Sequence, residues 1–403
     1  MSAPQSNTPI AIIGMSMNFP ESGTSATAFW DMLCKGRNVS TKIPKERFNV
    51  DAFRHPDTSK HYSMNADGGH FIETPLDCFD APFFSIGLAE AACMDPQQRL
   101  LLETSFHALE NAGITIPSCA GSETAVYTGS FMDDYKSVMY ADPELERRYA
   151  ASGLATNMIA NRISWFYDFR GPSVNLDTAC SSSLTALHAC CQDLRLGIVN
   201  MGLVGGCSLV FGPDNFYTMT SMNFLSPDNR SHSFDESANG YSRGEGFGMV
   251  VVKRLDDAIR DGDTVRAIIR ATGIGQDGRT PGITVPSGSS QRSLIEKTYS
   301  QAGISMEPTR YCEAHATGTP VGDPIEANAI GEAFAKYRTE SAPMFLGSVK
   351  ANVGHMEAAS GLASLIKTVL ILESGVIPPV AGLENINSKI KAQQYHLHVS
   401  WVS

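Results

Sequence analysis

Short apolar segments typical of buried strands alternate with helical segments along almost the whole chain. In the first half, strands are predicted at 10–14, 124–128, 173–177 and 249–253, with helices after 95, near 154–165 and after 181. In the second half, strands predicted at 265–271, 311–314 and 344–349 alternate with helices at 291–302, 324–338 and 358–373. Alternation of this kind is typical of an α/β fold, in which helices cover a largely parallel sheet.

The size of the chain favours two core-forming halves, because 403 residues are more than one small core usually holds. Apolar residues make up 42% and charged residues 18%, as in a well-packed globular protein. The net charge of −11 argues against nucleic acid as a partner, since phosphates require an excess of Lys and Arg. No apolar run reaches the length of a membrane span, so no membrane association is expected.

The nine cysteines are odd in number, irregularly spaced and without a C-x-x-C pair. This pattern fits neither a disulfide framework nor a zinc site, and it indicates a reducing, cytoplasmic location.

Local signals define one helix and one turn clearly. Asp95 is placed to cap a helix whose first position is Pro96, and Gly113 is placed to end it. The glycine-rich segment 244–248 precedes a strand, whereas a phosphate-binding loop follows a strand and opens a helix. We therefore interpret it as a tight turn.

Cys180 lies where an apolar strand ends and a helix begins, in a small, sharply turning segment. This strand–turn–helix arrangement resembles a nucleophile elbow. The partial positive charge of a helix N-terminus lowers the pKa of a thiol and favours the reactive thiolate. Cys180 is thus the candidate nucleophile, although a lone cysteine is more often a small packed side chain.

His315 and His355 each follow a predicted strand and precede a predicted helix. Ligands of α/β proteins bind at that edge of the sheet. Two neutral imidazoles beside one cysteine could hydrogen-bond a developing oxyanion or enolate. No metal site is expected here, because no further carboxylate or thiol stands at ligand spacing.

Nearby polar residues have simpler interpretations. Thr317 and Thr319 could bond an amide of a ligand, or they could only form the local turn. Asp323 and Pro324 are expected to be a helix cap and a first-turn proline.

The motifs DTACSSS (177–183), EAHATGT (313–319) and KANVGH (350–355), in this order, resemble the ketosynthase domain of iterative polyketide synthases. The segments 94–113 and 224–255 extend the likeness over nearly the whole chain, and their spelling is most like the fungal highly reducing enzymes. Animal-type fatty acid synthases are close relatives.

The resemblance implies a thiolase-like, five-layer αβαβα fold from two similar halves, here 1–255 with Cys180 and 256–403 with the two histidines. It implies that Cys180 accepts an acyl chain as a thioester. His315 and His355 would support decarboxylation of a malonyl-type extender, and Lys350 would orient or support them electrostatically. Thr317 and Thr319 would contact the phosphopantetheine arm of an acyl carrier protein, with no cofactor bound directly. A homodimer is expected.

Two departures from the family pattern carry expectations of their own. Ala316 stands where the family usually has glycine. Family members also continue past the position of Ser403 through a Gly-Phe-Gly-Gly segment that supplies one oxyanion-hole N–H. Losing one such donor typically costs about 2.7–4 kcal/mol, or roughly 10²–10³ in rate. A truncated, catalytically impaired module for dimerisation or carrier binding is therefore the alternative to an active β-ketoacyl synthase.

Two other enzyme classes remain open from the residues alone. A thiolase or a synthase that takes free acyl-CoA would use a second cysteine or an asparagine where a second histidine stands here. A cysteine hydrolase would need only one histidine and an Asn or Asp that orients it.

Overall fold

The structure is a computed structural model that describes residues 8–400 except 22, 56, 58, 59, 61 and 145–147. Within these residues the strands are β1 Ile10–Asn18, β2 Thr41–Lys42, β3 Gly68–Gly69, β4 Thr124–Gly129, β5 Ser173–Leu176, β6 Met201–Ser208, β7 Gly246–Arg254, β8 Ala267–Ile269, β9 Tyr311–Glu313, β10 Met344–Gly347 and β11 Leu397–Val399.

The α-helices of the described residues are α1 Ala26–Cys34, α2 Leu88–Cys93, α3 Pro96–Asn111, α4 Ile116–Cys119, α5 Asp134–Ala141, α6 Ala150–Gly153, α7 Met158–Tyr167, α8 Ser182–Leu196, α9 Asp214–Ser221, α10 Leu255–Asp261, α11 Gly288–Ala302, α12 Gly322–Phe334, α13 Lys350–Val353, α14 Ser360–Ser374 and α15 Ala392–Tyr395. Short 3₁₀ turns precede α8 and α14.

The larger sheet has six strands in the order β5-β4-β6-β7-β1-β8. The strands β5, β4 and β6 are parallel, whereas β7 runs antiparallel to both β6 and β1. Successive residues of β1 pack on opposite faces of this sheet, with Ile12 on one side and Ile13 on the other. Because both faces are covered, β1 is a continuous apolar run rather than an alternating one.

The helices form layers around this sheet. On one face α3 and α7 pack against it, and on the other face lie α8 and α14. The smaller sheet, β11-β10-β9, is parallel and lies beyond α14, whose Lys367 forms an ion pair of 2.8 Å with Glu313 on β9. Its outer face carries α12, on which α11 packs. The order is helix, sheet, helix, sheet, helix, as the family resemblance implies.

The predicted caps are present. The Asp95 side chain accepts a hydrogen bond of 2.8 Å from the Gln97 N–H at the start of α3, where Pro96 is the first residue. Gly113 follows the helix with φ +71°, a conformation that glycine adopts without strain. Likewise, α8 ends at Gly197 with φ +71°.

The structure corrects two details of the predicted elements. The strand expected at 265–271 is only Ala267–Ile269, and it pairs antiparallel with β1 in the larger sheet instead of opening the second one. The helix expected near 154–165 begins later, at Met158, after the separate turn α6. Among the described residues, no helix combines the length and apolar character needed to cross a bilayer.

Candidate active site

Cys180 lies in a 3₁₀ turn between the end of β5 and the first residue of α8. The preceding Ala179 has φ +54°, a left-handed conformation that is costly for a residue with a Cβ. The Ser182 hydroxyl holds the turn, since it accepts from the Thr178 N–H at 2.9 Å and donates to the Ala179 carbonyl at 2.6 Å. The predicted elbow is thus present, with the thiol at its apex.

His355 follows α13 and is fixed on all sides. Its ring is buried, its backbone N–H donates to the Ser242 carbonyl at 2.7 Å, and its Nδ1 lies 2.8 Å from the Ser360 hydroxyl. Its Nε2 lies 3.0 Å from the Cys180 sulfur. In the tautomer whose Nδ1–H donates to Ser360, Nε2 is free to accept the thiol proton.

His315 follows β9 and is held through its backbone. The N–H groups of His315 and Ala316 both donate to the buried Glu326 carboxylate, each at 2.7 Å. The His315 ring lies edge-on to the His355 ring, with 5.3 Å between centroids, and it is exposed to solvent. Its nitrogens make no hydrogen bond within the described part of the chain, so both remain available to a ligand.

The turn after His315 explains the departure at Ala316. This residue has φ +26°, in the region that favours glycine, which accounts for the glycine usual in the family. Gly318, at φ +88°, is tightly enclosed, since a Cβ there would lie 2.5 Å from the His232 nitrogen. Ala316 is therefore accommodated at some backbone strain, whereas a substitution at Gly318 would clash.

The two threonines differ. The Thr319 hydroxyl accepts from the Gly322 N–H at 3.2 Å and thus takes part in the turn. The Thr317 side chain, by contrast, has no hydrogen-bond partner among the described residues.

Asp323 does not cap α12 as expected, because Val321 is the residue at the cap. Its carboxylate instead accepts N–H groups of the loops at Phe234, Gly318 and Thr319, at 2.9–3.1 Å.

Lys350 is buried at the first position of α13. Burial lowers the pKa of its ammonium group, while the charges of Glu313, Glu326 and Cys180 oppose that shift. Desolvation also lowers the pKa of His355 and that of His315, because protein atoms crowd both rings even though part of His315 is exposed, and the Lys350 charge adds to both shifts. Both imidazoles are therefore neutral near pH 7, the state in which they can accept a proton or donate to an oxyanion.

The thiol itself differs from the sequence expectation. Burial raises the pKa of Cys180 to about 12, and the neighbouring Glu357 carboxylate adds to the rise, while Lys350 and the backbone oppose it. The expectation of a lowered thiol pKa at the helix N-terminus is thus wrong for the unliganded site. Desolvation and a nearby negative charge outweigh the helix dipole. Without a ligand, Cys180 is therefore a protonated thiol near neutral pH.

Four neighbours of this cluster were missed by the sequence reasoning: Ser242, Arg243, Glu357 and Ser360. Arg243 and Glu357 form a buried ion pair, with Nε and Oε1 3.6 Å apart, close to Cys180. Two of them were partly indicated by the sequence, because Glu357 lies two residues after His355 and Arg243 adjoins the 244–248 turn. Their proximity to each other depends on the pairing of the 243 and 355 segments.

The structure brings Cys180, His315 and His355 together from three separate segments. One side-chain donor atom of each lies within 4.8 Å of the others. A cluster of this size also resembles a metal site in its dimensions, so the expected absence of a metal remains a prediction. A thiol between two neutral imidazoles is suited to covalent acyl transfer, because the sulfur can carry the acyl group while the imidazoles handle protons and developing charge.

Two models of known protein families match the chain. The model described as "Beta-ketoacyl synthase, N-terminal domain" matches residues 7–258, and "Beta-ketoacyl synthase, C-terminal domain" matches residues 266–384. Among solved structures, the ketosynthase from module 6 of the bacillaene synthase of Bacillus subtilis 168 superposes with a TM-score of 0.89 at 35% identity, covering 98% of this chain and 66% of that one. The oxazolomycin ketosynthase domain OzmH KS7 of Streptomyces albus JA3453 gives 0.91 at 33% identity, covering 97% and 70%.

Curated relatives include two fungal synthases. The chain is 50% identical to the highly reducing polyketide synthase alnA of Emericella nidulans over 96% of its own length and 16% of the relative's. It is 49% identical to the compactin diketide synthase mlcB of Penicillium citrinum, covering 98% and 15%. The chain thus spans about one sixth of the length of these relatives. With its thiolase-like fold, it belongs to the β-ketoacyl synthase family of condensing acyltransferases, as the ketosynthase segment of polyketide synthases does.

Proposed function

We propose that this chain catalyses the decarboxylative condensation of an acyl group on Cys180 with a malonyl-type extender carried by an acyl carrier protein, in polyketide biosynthesis. The observation that carries the proposal is the convergence of the Cys180 sulfur and the two imidazoles within 4.8 Å of one another. The family membership supports the reaction class, and the fungal polyketide synthases among the relatives support the pathway class.

The first step loads the acyl chain. The Cys180 sulfur attacks the carbonyl carbon of the incoming thioester while His355 Nε2, 3.0 Å away, takes the thiol proton. The new S–C bond replaces the bond to the pantetheine sulfur, and the proton leaves with that thiol. The hydrogen bond between Nδ1 and Ser360 stabilises the imidazolium that forms in between.

The second step generates the carbon nucleophile. The C–CO₂ bond of the malonyl thioester breaks, and its electron pair becomes an enolate whose oxygen needs hydrogen-bond donors. His315 and His355 are neutral and adjacent, and Lys350 adds positive charge to the cluster. To donate to the enolate oxygen, His355 takes its other neutral tautomer, in which Nδ1 accepts from the Ser360 hydroxyl and Nε2 carries the proton. The enolate carbon then attacks the Cys180 thioester, which releases the sulfur and yields a β-ketoacyl product on the carrier.

The carrier arm would enter beside the 317–319 turn. The Thr317 hydroxyl is unpaired among the described residues, so it can bond an amide of phosphopantetheine. Thr319 is already engaged with Gly322 and is assigned a supporting contact. In this proposal no cofactor is bound directly, because phosphopantetheine arrives as part of the acyl carrier partner.

A homodimer and a cytoplasmic location belong to the same proposal. Within the described residues β5 pairs only with β4, so its other edge is open for a second copy to extend the sheet. The nine cysteines form no disulfide within the described residues, which suits a reducing compartment.

The alternatives are less well supported. A synthase for free acyl-CoA or a cysteine hydrolase would not need the second histidine, which here adjoins the first. An impaired module that only dimerises or binds a carrier would have no need for the set of contacts that fixes His355 against Cys180.

Incubation with radiolabelled acetyl-pantetheine tests the proposal directly. We expect one label per chain, lost in Cys180→Ala and retained in Cys34→Ala, whose exposed thiol lies at the end of α1 and is not part of the cluster of Cys180 with the two histidines. Labelled malonyl-pantetheine should release CO₂ with both histidines present. A folded chain that takes no label on Cys180 would overturn the enzymatic reading and favour the carrier-binding alternative.

A further inference from the structure

A buried carboxylate lies next to the nucleophile and has no role in the reaction described above. Glu357 is 1% exposed, and its Oε2 lies 4.0 Å from the Cys180 sulfur and 3.9 Å from His355 Nε2. Its backbone has φ +42°, a conformation that costs free energy for a residue with a side chain. The fold therefore places a negative charge against the thiol at a cost, which calls for a functional reason.

The partner of this carboxylate is held by charge rather than by hydrogen bonds. Arg243 is 1% exposed, and its Nε lies 3.6 Å from Glu357 Oε1, beyond hydrogen-bond distance. All three guanidinium nitrogens and Glu357 Oε1 lack hydrogen-bond partners in the part of the chain that the structure describes. The guanidinium stacks on the Phe216 ring, 5.0 Å from its centroid. A carboxylate bound this loosely keeps both oxygens able to accept a proton.

Several other ionisable groups surround Glu357. Cys180 and His355 lie within 4.0 Å of its carboxylate, and Arg243 balances its charge. The charge of Glu357 contributes to a raised pKa of Tyr241, and Asp134 is a further negative charge that acts on Glu357. Burial raises the pKa of Glu357 to about 7, while Arg243 opposes the rise and Asp134 adds to it. Near neutral pH this carboxyl group can therefore exist with or without its proton.

We propose that Glu357 and Cys180 share one proton. In the resting site the proton is on the sulfur and Glu357 is charged, which keeps the nucleophile a thiol. When the sulfur attacks a thioester, the thiol proton moves to the carboxylate, directly or through His355 Nε2. Arg243 then loses its counter-ion, and the proton passes on to the departing pantetheine thiolate, so the total number of protons in the site is unchanged.

The proposal predicts a coupled titration, because two groups that interact this strongly lose their protons as a pair. The first loss, near pH 7, creates a mixture of charged Glu357 with thiol and protonated Glu357 with thiolate. Above that pH the fraction of thiolate is constant until the second proton leaves. The rate of Cys180 alkylation should thus rise up to about pH 7 and then level off.

The experiment measures the rate of Cys180 alkylation by iodoacetamide from pH 6 to 10, with mass spectrometry to assign the modified residue. In Glu357→Gln the break near pH 7 should vanish, and the rate should rise about tenfold per pH unit, because a lone thiol then titrates. At pH 9 the variant should exceed the unsubstituted chain at least tenfold, since a nearby negative charge raises a thiol pKa by 1–3 units. Glu357→Asp, which keeps the charge, should restore a break.

Two results would overturn the proposal. One is an alkylation rate of Cys180 that rises through pH 7 without a break in the unsubstituted chain. This result requires no variant, so it does not depend on whether a substituted chain folds. The other is the same profile in Glu357→Gln as in the unsubstituted chain, or uniformly slower alkylation, as a merely structural carboxylate would give. The inference rests on the proposed function, but the alkylation assay needs no acyl substrate. Failure of acyl transfer with an intact break would therefore refute only the proposed function.

Discussion

The two histidine segments of the active site look alike in sequence and differ in the structure. His315 comes directly after β9, whereas His355 comes after β10 and the short helix α13, and both segments are rich in small residues. His355 is buried and fixed through both ring nitrogens, by Ser360 on one side and by Cys180 on the other. His315 is fixed only through its backbone, by Glu326, and its ring is exposed with both nitrogens unbound among the described residues.

This difference suggests that the two histidines have different roles in the reaction. A histidine locked against the nucleophile is suited to proton transfer with the sulfur, because its geometry and tautomer are set in advance. A histidine with free nitrogens at the open side of the site is suited to the oxygen of an incoming extender. Four predictions test whether the two residues really differ in this way.

The largest effect is expected for His355→Ala. Because this residue accepts the thiol proton and also adjoins the enolate site, both acylation and malonyl decarboxylation should fall by roughly 10²–10⁴. Single-turnover acylation with radiolabelled acetyl-pantetheine and release of CO₂ from malonyl-pantetheine measure the two steps separately. Acylation that stays within threefold of the unsubstituted chain would contradict the proposed role.

His315→Ala should separate the two steps. Loss of an oxyanion donor should lower decarboxylation by roughly 10²–10³. Acylation of Cys180 should change by less than about threefold, because His315 makes no hydrogen bond to the thiol. The same pair of assays applies, and an equal loss in both steps would remove the distinction between the histidines.

Ser360→Ala should weaken the fixed histidine without removing it. Loss of the hydrogen bond to Nδ1 should lower acylation about tenfold, and it should lower the free energy of unfolding by about 1–2 kcal/mol, because a buried nitrogen is left unpaired. Ser364→Ala, one turn along α14, is the matched control, because Ser364 is half-buried and its hydroxyl makes no hydrogen bond among the described residues. Equal effects from both substitutions would point to helix stability instead of orientation of His355.

The smallest effect concerns stability in acid. Burial lowers the pKa of His355 below its unfolded value, so below pH 6.5 the unfolded chain binds a proton that the folded chain does not. This contribution to stability is complete above pH 6.5 and declines as the pH falls. Between pH 7.5 and pH 5 the loss should be about 2 kcal/mol for a fully buried histidine.

Urea unfolding at pH 7.5 and at pH 5 measures this loss in the free energy of unfolding. His355→Gln should abolish this part of the decline, because glutamine takes up no proton in this pH range. An unchanged decline in His355→Gln would show that this histidine does not stay neutral in the folded chain.

Much of this site was predictable because its elements are locally encoded. Asp95, Pro96 and Gly113 mark the ends of α3, and the small residues around Cys180 mark the turn into α8. The order of the three motifs then indicated the family, and the family matches confirmed it. Local signals succeed here because caps, turns and short apolar runs depend on neighbours in the chain.

Other features could not be predicted, since they depend on contacts between distant segments. The strand at Ala267–Ile269 joins the larger sheet because β1 offers it an open edge, and nothing in its own sequence specifies that partner. The ion pair of Arg243 and Glu357 likewise requires two segments more than one hundred residues apart to run side by side.

The sequence by itself determined the fold class and singled out Cys180, His315 and His355 as candidates for one site, because strand–helix alternation and short motifs lie in consecutive residues. Only the tertiary structure decided how these groups differ: one histidine locked and the other free, and a thiol whose pKa is raised, not lowered. The physical reason is that pKa values and hydrogen-bond partners follow from burial and from charges brought close in space, such as Glu357 beside Cys180.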